Sequence, residues 1–326
     1  MILAGDIGGT KTNLAYFNVD DDQLTAKLVR SYPNGRFKSL TDLIRAHLQE
    51  NPAGISAAAF GIAGPVVNGR TRMTNLGWEV DAREVAAQLK LKEVGLMNDL
   101  EATAYGTLRL GEEDMLLLNP GSPQRHGTIA VIAAGTGLGE GGLFWDGARY
   151  RAIPSEGGHT DFGPRNELEI DLLRFLLQRH DRVSYERVVS GPGMRTLYEF
   201  FRSRADYAEP HWLRERLDVG DPSAVVSEVG LEGKDAVCEQ ALDLFVSLYG
   251  AEAGNLALKL LSTGGVFVGG GIAPKILPGI QDGKFLDSFK RKGRYSTLLS
   301  GIPVHLILND KAALLGAAHV ALLTND

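Results

Sequence analysis

The stretch GDIGGTKTNLAYFNV, Gly5–Val19, decides how the chain is read. A short apolar run, Ile2–Ala4, leads into it, and a second strand-like run, Asn13–Val19, leads out. Between them GDIGGT is a glycine turn, and Asp20, Asp21 and Asp22 make the next one before a third candidate strand, Leu24–Tyr32. Three strands with tight turns read as an antiparallel meander. A helix follows, with Ser39 as its cap and Leu40, Leu43, Ile44 and Leu48 on one face. Ala57–Ala63 is a buried strand, Asn68-Gly69 a hairpin signal, and Asp81 with Glu84 a capping-box pattern. Val94–Met97 is the strand before Asn98-Asp99, where another helix pattern begins.

The same opening recurs further on. Thr128–Ala134 reads as a strand, AGTGLGEGG as a glycine turn, and GLFWDGARYRAI as a hairpin about Asp146-Gly147. The chain therefore resolves into two related halves, each starting strand, glycine turn, strand. Helices are expected near Glu167–Arg179 and Ser184–Val189, with a long one over Lys234–Leu261. Val266–Val268 followed by GGGIAP reads as strand–turn–helix, Pro303–Leu308 as a strand, and Lys311–Leu323 as a closing helix. Residues 202–232, mixed polar and acidic, resist assignment.

Bulk properties narrow the function. With 326 residues the chain suits two lobes rather than one small core. Its net charge of −6 has the signs well mixed, which argues against a nucleic-acid partner. One cysteine, Cys238, excludes a disulfide framework and a cysteine-rich zinc site. MILAGDIGG lacks the features of a signal peptide and no apolar run reaches about 18 residues, so the expectation is a cytoplasmic protein that does not span a membrane. Glycine is in excess, 40 of 326, in clusters where the backbone must turn sharply or meet a ligand closely.

GDIGGT is too short for a P-loop, yet successive amides in such a turn form an anion-binding concavity, to which Thr10 and Lys11 add a hydroxyl and a charge. Asp6 repels phosphate, and makes sense there if a divalent cation such as Mg²⁺ lies between them. A plain hairpin with an Asp in its turn fits the residues equally well, and Lys11 is equally consistent with pointing to solvent. Gly137-x-Gly139-x-x-Gly142 is formally a dinucleotide fingerprint, the mark of an NAD-dependent oxidoreductase. It should open a helix, but a hairpin follows, so a second phosphate loop is the better reading.

Six segments in order, DIGGTKTNLA, LMNDLEATA, AAGTGLGEGGL, PSEGGHTDF, YERVVSGPG and FVGGGIAP, closely resemble the bacterial ATP-dependent glucokinases of the hexokinase–actin–Hsp70 ATPase superfamily. The resemblance covers almost the whole chain. It implies an α/β, two-lobed actin-like ATPase (ribonuclease H-like) fold with mixed sheets flanked by helices and the active site in the interlobe cleft. The small lobe would be residues 1–109 plus 301–326, the large lobe 110–300. It implies ATP binding by Gly5, Asp6, Ile7, Gly8, Gly9 and Thr10, by Gly135, Thr136 and Gly137, and by Gly269, Gly270 and Gly271, with Asp6 holding Mg²⁺ through water. Asn98, Asp99, Gly137, Glu156, His159 and Glu186 would bind glucose, with Asp99 the catalytic base, and the assembly would be a homodimer.

The related ROK kinases and repressors carry a cysteine-rich zinc motif after GGH. Here TDFGPRNELE stands in its place, so the resemblance is to the zinc-free group. A repressor would also need a DNA-binding helix-turn-helix, for which no room is expected before the phosphate-loop strand. A kinase of another hexose, mannose or N-acetylglucosamine, would differ only in its hydroxyl contacts. The residue types suit sugar phosphorylation independently. Carboxylates, amide and imidazole pair with hydroxyls, and an Asp beside the attacking hydroxyl is an economical base. Taken singly, however, each has a plainer reading: Asn98 and Asp99 as helix caps, Glu156 as a solvated loop residue, His159 as structural, Glu186 on a helix face.

Overall fold

The computed structural model describes residues 1–21, 23–73, 75–204 and 207–324. Asp22 of the predicted acidic turn and residues 205–206 of the illegible stretch lie outside them, as do Thr74 and residues 325–326. The chain divides into two compact units, Met1–Asp114 with Tyr150–Pro154 and Asn309–Asp326, and Met115–Arg149 with Ser155–Leu308.

The first unit opens with the expected meander, β1 (Ile2–Ile7), β2 (Lys11–Asp20) and β3 (Gln23–Pro33), paired antiparallel. Ser39 caps α1 (Leu40–Glu50), its hydroxyl accepting from the Asp42 amide. β4 (Ala57–Ile62) returns parallel to β1, which requires the crossover that α1 supplies. Asn68 and Gly69 both take positive φ, the geometry a tight reverse turn needs. That turn is closed only by a Val67–Arg70 bridge, and the strand it starts, β5 (Arg70–Met73), pairs instead with β6 (Trp78–Asp81). α2 (Ala82–Leu89) is capped by Asp81. β7 (Gly95–Asn98) joins β4 in parallel and runs directly into α3 (Asp99–Gly106).

The sheet order β3-β2-β1-β4-β7 leaves β1 and β4 central. Alternation then buries both faces. Leu3, Ile7, Leu14, Phe60 and Ile62 pack with Leu40, Leu43 and Ile44 of α1 on one side. Ile2, Ala4, Ala15, Ala57 and Ala59 pack on the other with Ala102 of α3 and with Leu314 and Ala317 of the closing helix.

The second unit starts with β8 (Met115–Asn119), β9 (Ile129–Ala134) and β10 (Leu138–Trp145), and β11 (Tyr150–Ile153), counted with the first unit, follows β10 in the chain. α4 (Glu167–Leu177) is where expected. Ser184–Val189 is not an α-helix but one 3₁₀ turn, Tyr185–Arg187, with Arg187 N–H donating to Ser184 O, and the Tyr185 amide, which a first helical turn leaves without an internal acceptor, donates to Thr160 O. The illegible stretch is helical, comprising the end of α5 (Gly191–Arg204), then α6 (His211–Val219) and α7 (Pro222–Leu231). α8 (Ala236–Leu260) is the long helix, and buried Cys238 sits in its first turn.

After β12 (Gly265–Gly269) come the short helices α9 (Leu277–Gln281), α10 (Lys284–Lys290) and α11 (Ser296–Ser300), then β13 (Val304–Ile307) and the closing α12 (Ala312–Thr324). The second sheet is ordered β11-β10-β9-β12-β13-β8. Its first five strands repeat the third-second-first-fourth-fifth order of the first sheet, so the two halves seen in the sequence are two copies of one topology.

Candidate active site

In the first unit the parallel strands β1, β4 and β7 end at one edge of the sheet. Register sets Ile7 level with Ile62 and Ile62 level with Asn98, so Asp6 and Asn98-Asp99 share that edge. Carboxyl ends of parallel strands are where open α/β sheets bind ligands. Asn98, not Asp99, caps α3: its Oδ1 accepts from the Leu100 amide at 2.8 Å while its Nδ2 donates to Gly64 O at 3.1 Å. Asp99 is the first helical residue, and its Oδ1 also meets the Leu100 amide, at 2.9 Å.

The β1–β2 turn closes through Gly8 N–H donating to Lys11 O at 3.0 Å, and Gly9, Thr10 and Lys11 are exposed. Asn34, buried at 1 % exposure, braces it from below. Its Nδ2 donates to Gly8 O at 2.8 Å, its Oδ1 accepts from Thr12 Oγ1 at 2.7 Å, and its amide donates to Thr10 O. Asp6 accepts from Asn13 Nδ2 at 3.2 Å, and burial pushes its carboxyl above the usual range.

In the second unit the β9–β10 turn carries Gly135, Thr136 and Gly137. Leu138 N–H donates to Glu186 Oε2 at 3.0 Å, and a Cβ at Gly137 would lie 2.5 Å from that oxygen. His159 Nδ1 is 3.8 Å from Glu186 Oε1, and the His159 amide donates to Glu156 O at 3.0 Å. Arg182 steadies this turn by donating to His159 O at 2.6 Å. Glu156, His159, Glu186 and Gly137 thus form one cluster, with both Glu156 and His159 exposed to solvent.

The Gly269–Gly271 turn packs on the same strand end. Gly270 has φ of +84°, and a Cβ there would lie 2.2 Å from Ala134 O. The fully buried Tyr249 of α8 links the two turns, accepting from the Ala134 amide at 3.2 Å and donating to Gly269 O at 3.0 Å. The Gly137-x-Gly139-x-x-Gly142 run continues as β10, a strand, so it does not open the helix a dinucleotide fingerprint requires.

The residues present fit a nucleotide and its magnesium ion. A Cβ added at Gly135 or Gly271 would meet nothing within 4 Å, so the backbone there faces open space. Asp6 offers a hard oxygen beside the glycine turn, the donor type Mg²⁺ prefers. Among the described residues no three His, Cys, Asp or Glu side chains group to hold a metal, and no helix is long and apolar enough to cross a membrane.

The Glucokinase family model matches residues 3–324. The chain belongs to the glucokinase family. A glucokinase of Nostoc sp. is 45% identical, with 98% of each chain covered. A glucokinase from an Antarctic psychrotroph superposes at a TM-score of 0.88 with 30% identity, over 99% of this chain and 98% of that one. The fold of a ROK family glucokinase from Streptomyces griseus, solved with glucose and AMPPNP, is shared at a TM-score of 0.66 and 23% identity, over 99% of each chain. The architecture is therefore that of the actin-like ATPases, and the chain is a sugar kinase.

The glucokinase motifs account for the exposed residues but not for what supports them. Asn34, Tyr249 and Arg182 went unread, because each lies outside the glycine clusters and acts on groups that only folding brings to it. For Asn34 the one available signal is a polar residue in a Pro-Asn-Gly turn, and that is common to any turn.

Proposed function

We propose that this chain transfers the γ-phosphoryl group of ATP to O6 of D-glucose, giving glucose 6-phosphate and ADP, with Asp99 as the base. The observation that carries the reading is the cluster of Glu186, His159 and Glu156 beside the β9–β10 glycine turn, matched by Asn98-Asp99 at the strand edge of the first unit. Each set carries groups that pair with sugar hydroxyls. The carboxylates accept from those hydroxyls and the imidazole and amide donate, charge-assisted bonds being the stronger kind. Asp99 takes the O6 proton as O6 bonds to phosphorus and the bond to ADP breaks.

The turns Gly5–Thr10, Gly135–Gly137 and Gly269–Gly271 would hold the nucleotide through backbone amides. Asp6 would hold Mg²⁺ through water, and the ion would supply charge neutralisation at the phosphates. The same reading makes the enzyme a cytoplasmic homodimer without zinc.

A coupled assay over a hexose panel tests it. A missing or inverted hydroxyl strands a buried polar group at a cost of ~1–3 kcal/mol, so glucose should exceed galactose in kcat/KM by roughly tenfold or more. Equal turnover of glucose with galactose, or preference for mannose or N-acetylglucosamine, overturns the assignment.

A further inference from the structure

Behind the Glu156–His159 turn lies a buried polar network that the reaction itself does not call for. Glu140 of β10 is 1 % exposed, and neither of its carboxyl oxygens has a hydrogen-bond donor. A Cβ at Gly157 would lie 2.2 Å from Glu140 Oε2, so the backbone between Glu156 and His159 rests directly on this carboxyl. Facing it from α8 is Glu252, fully buried, which accepts from Asn255 Nδ2 at 2.7 Å and from Lys259 Nζ at 3.0 Å. Tyr185, the neighbour of Glu186, joins through its hydroxyl, which accepts from Asn255 Nδ2 at 3.0 Å. Lys292 reaches in from beyond α10, donating to Ala251 O at 2.8 Å and to Asn255 Oδ1.

Two buried carboxylates side by side, one without any donor, are costly. A single proton removes the cost. As a carboxylic acid Glu140 gains a donor, and Glu252 is the acceptor beside it. Lys259 and Asn255 already pair with Glu252.

We propose that Glu140 is a positioning residue that, as a neutral acid hydrogen-bonded to Glu252, seats Gly157 and so holds Glu156 and His159 in place for glucose. The inference rests on reading those residues as glucose ligands. Its consequence is a pH dependence of sugar binding. Loss of the proton to solvent sets two negative charges against each other beneath the turn. Burial, with Glu252 adding to it, pushes the Glu140 carboxyl up to about 8. Lys292 also titrates in this range, since burial lowers its ammonium to about 8. Tyr185 and Tyr249 are held protonated well above it by burial.

The experiment measures KM for glucose and kcat from about pH 6.5 to about 9.5 in wild type, E140Q, E140A and the control K292R. Gln keeps the size and a donor toward Glu252 but cannot ionise. Wild type and K292R should show KM rising roughly tenfold across the range, with kcat changing less than threefold. E140Q should hold a low, flat KM, and E140A a raised KM at every pH. A flat wild-type profile, an E140Q profile that still rises, or E140A binding glucose like wild type overturns the proposal. If E140A does not fold, as shown by circular dichroism, the E140Q profile alone decides. Glu156→Gln separates the two readings. If it leaves KM unchanged, the glucose assignment itself has failed. If it raises KM while E140Q still titrates, only the role of Glu140 has failed.

Discussion

Asp99→Asn and Asn98→Ala make a crossed pair, because Asn98 caps α3 and the residue proposed as the base, Asp99, is its neighbour. Asn98 carries the cap of α3 and a second bond to Gly64 O. Truncating it to Ala removes a cap worth ~1 kcal/mol and a further hydrogen bond worth about 1 kcal/mol. At about 2–4 °C per kcal/mol for a unit of this order, Tm should fall by several degrees. Asp99 occupies the first turn, where its charge complements the helix dipole by only about 0.3–1 kcal/mol. Asn at that position keeps an oxygen for the Leu100 amide, so Tm should move by ~2 °C or less.

Activity should run the other way. An amide cannot take the proton of the sugar hydroxyl, and kcat should drop roughly 10²–10⁴-fold, about 3–5 kcal/mol of barrier. Differential scanning calorimetry and the coupled assay, run on the same preparations, read both quantities. A folded Asp99→Asn enzyme with near-normal kcat would refute the assignment of the base, whatever its melting temperature.

Gly137→Ala places a methyl 2.5 Å from Glu186 Oε2 and must displace a carboxylate bonded to the Leu138 amide; a charge-assisted bond from that carboxylate to a glucose hydroxyl, worth about 1.5–3 kcal/mol, is lost with it. Calorimetric titration should show glucose binding weakened about 10–150-fold with the fold intact, and unchanged affinity counts against Glu186 as a ligand. EDTA should abolish turnover and added Mg²⁺ restore it. Asp6→Asn should need more Mg²⁺ for half-maximal rate, and because burial raises the Asp6 carboxyl, the wild-type requirement should increase as pH falls; a requirement indifferent to both would remove Asp6 from the metal site. Glu140 also links stability to pH. Its acid form is favoured in the fold, so the stability it contributes is complete below its unfolded value near 4.5 and is lost as pH rises toward about 8. The stability of E140Q relative to wild type, from urea unfolding, should therefore increase with pH over that window, and a constant difference would show that Glu140 is ionised throughout.

Much of this molecule follows from local sequence. The strand–glycine turn–strand openings at Gly5–Thr10 and Gly135–Gly139, the Ser39 and Asp81 caps, and the length of α8 are set by periodicity, turn chemistry and capping, which act over a few residues. The exposed polar residues inside glycine motifs are singled out only by the family resemblance, since each taken alone has a plainer local reading. Tertiary structure decided the rest, wherever a residue's partner is distant in the chain. A 3₁₀ turn at Tyr185–Arg187 stands in place of the expected helix, and it is tied to a segment distant in the chain through the Tyr185 amide and Thr160 O. Asn98 rather than Asp99 became the cap because Asn98 keeps extended backbone while Asp99 already lies in the helix. Glu140 looks in sequence like one more polar residue in a glycine-rich strand. Only the packing of α8 and of the Gly157 turn against β10 buries it beside Glu252. A carboxyl's charge state depends on what surrounds it in space, and for Glu140 those surroundings include Glu252 of α8, more than a hundred positions away.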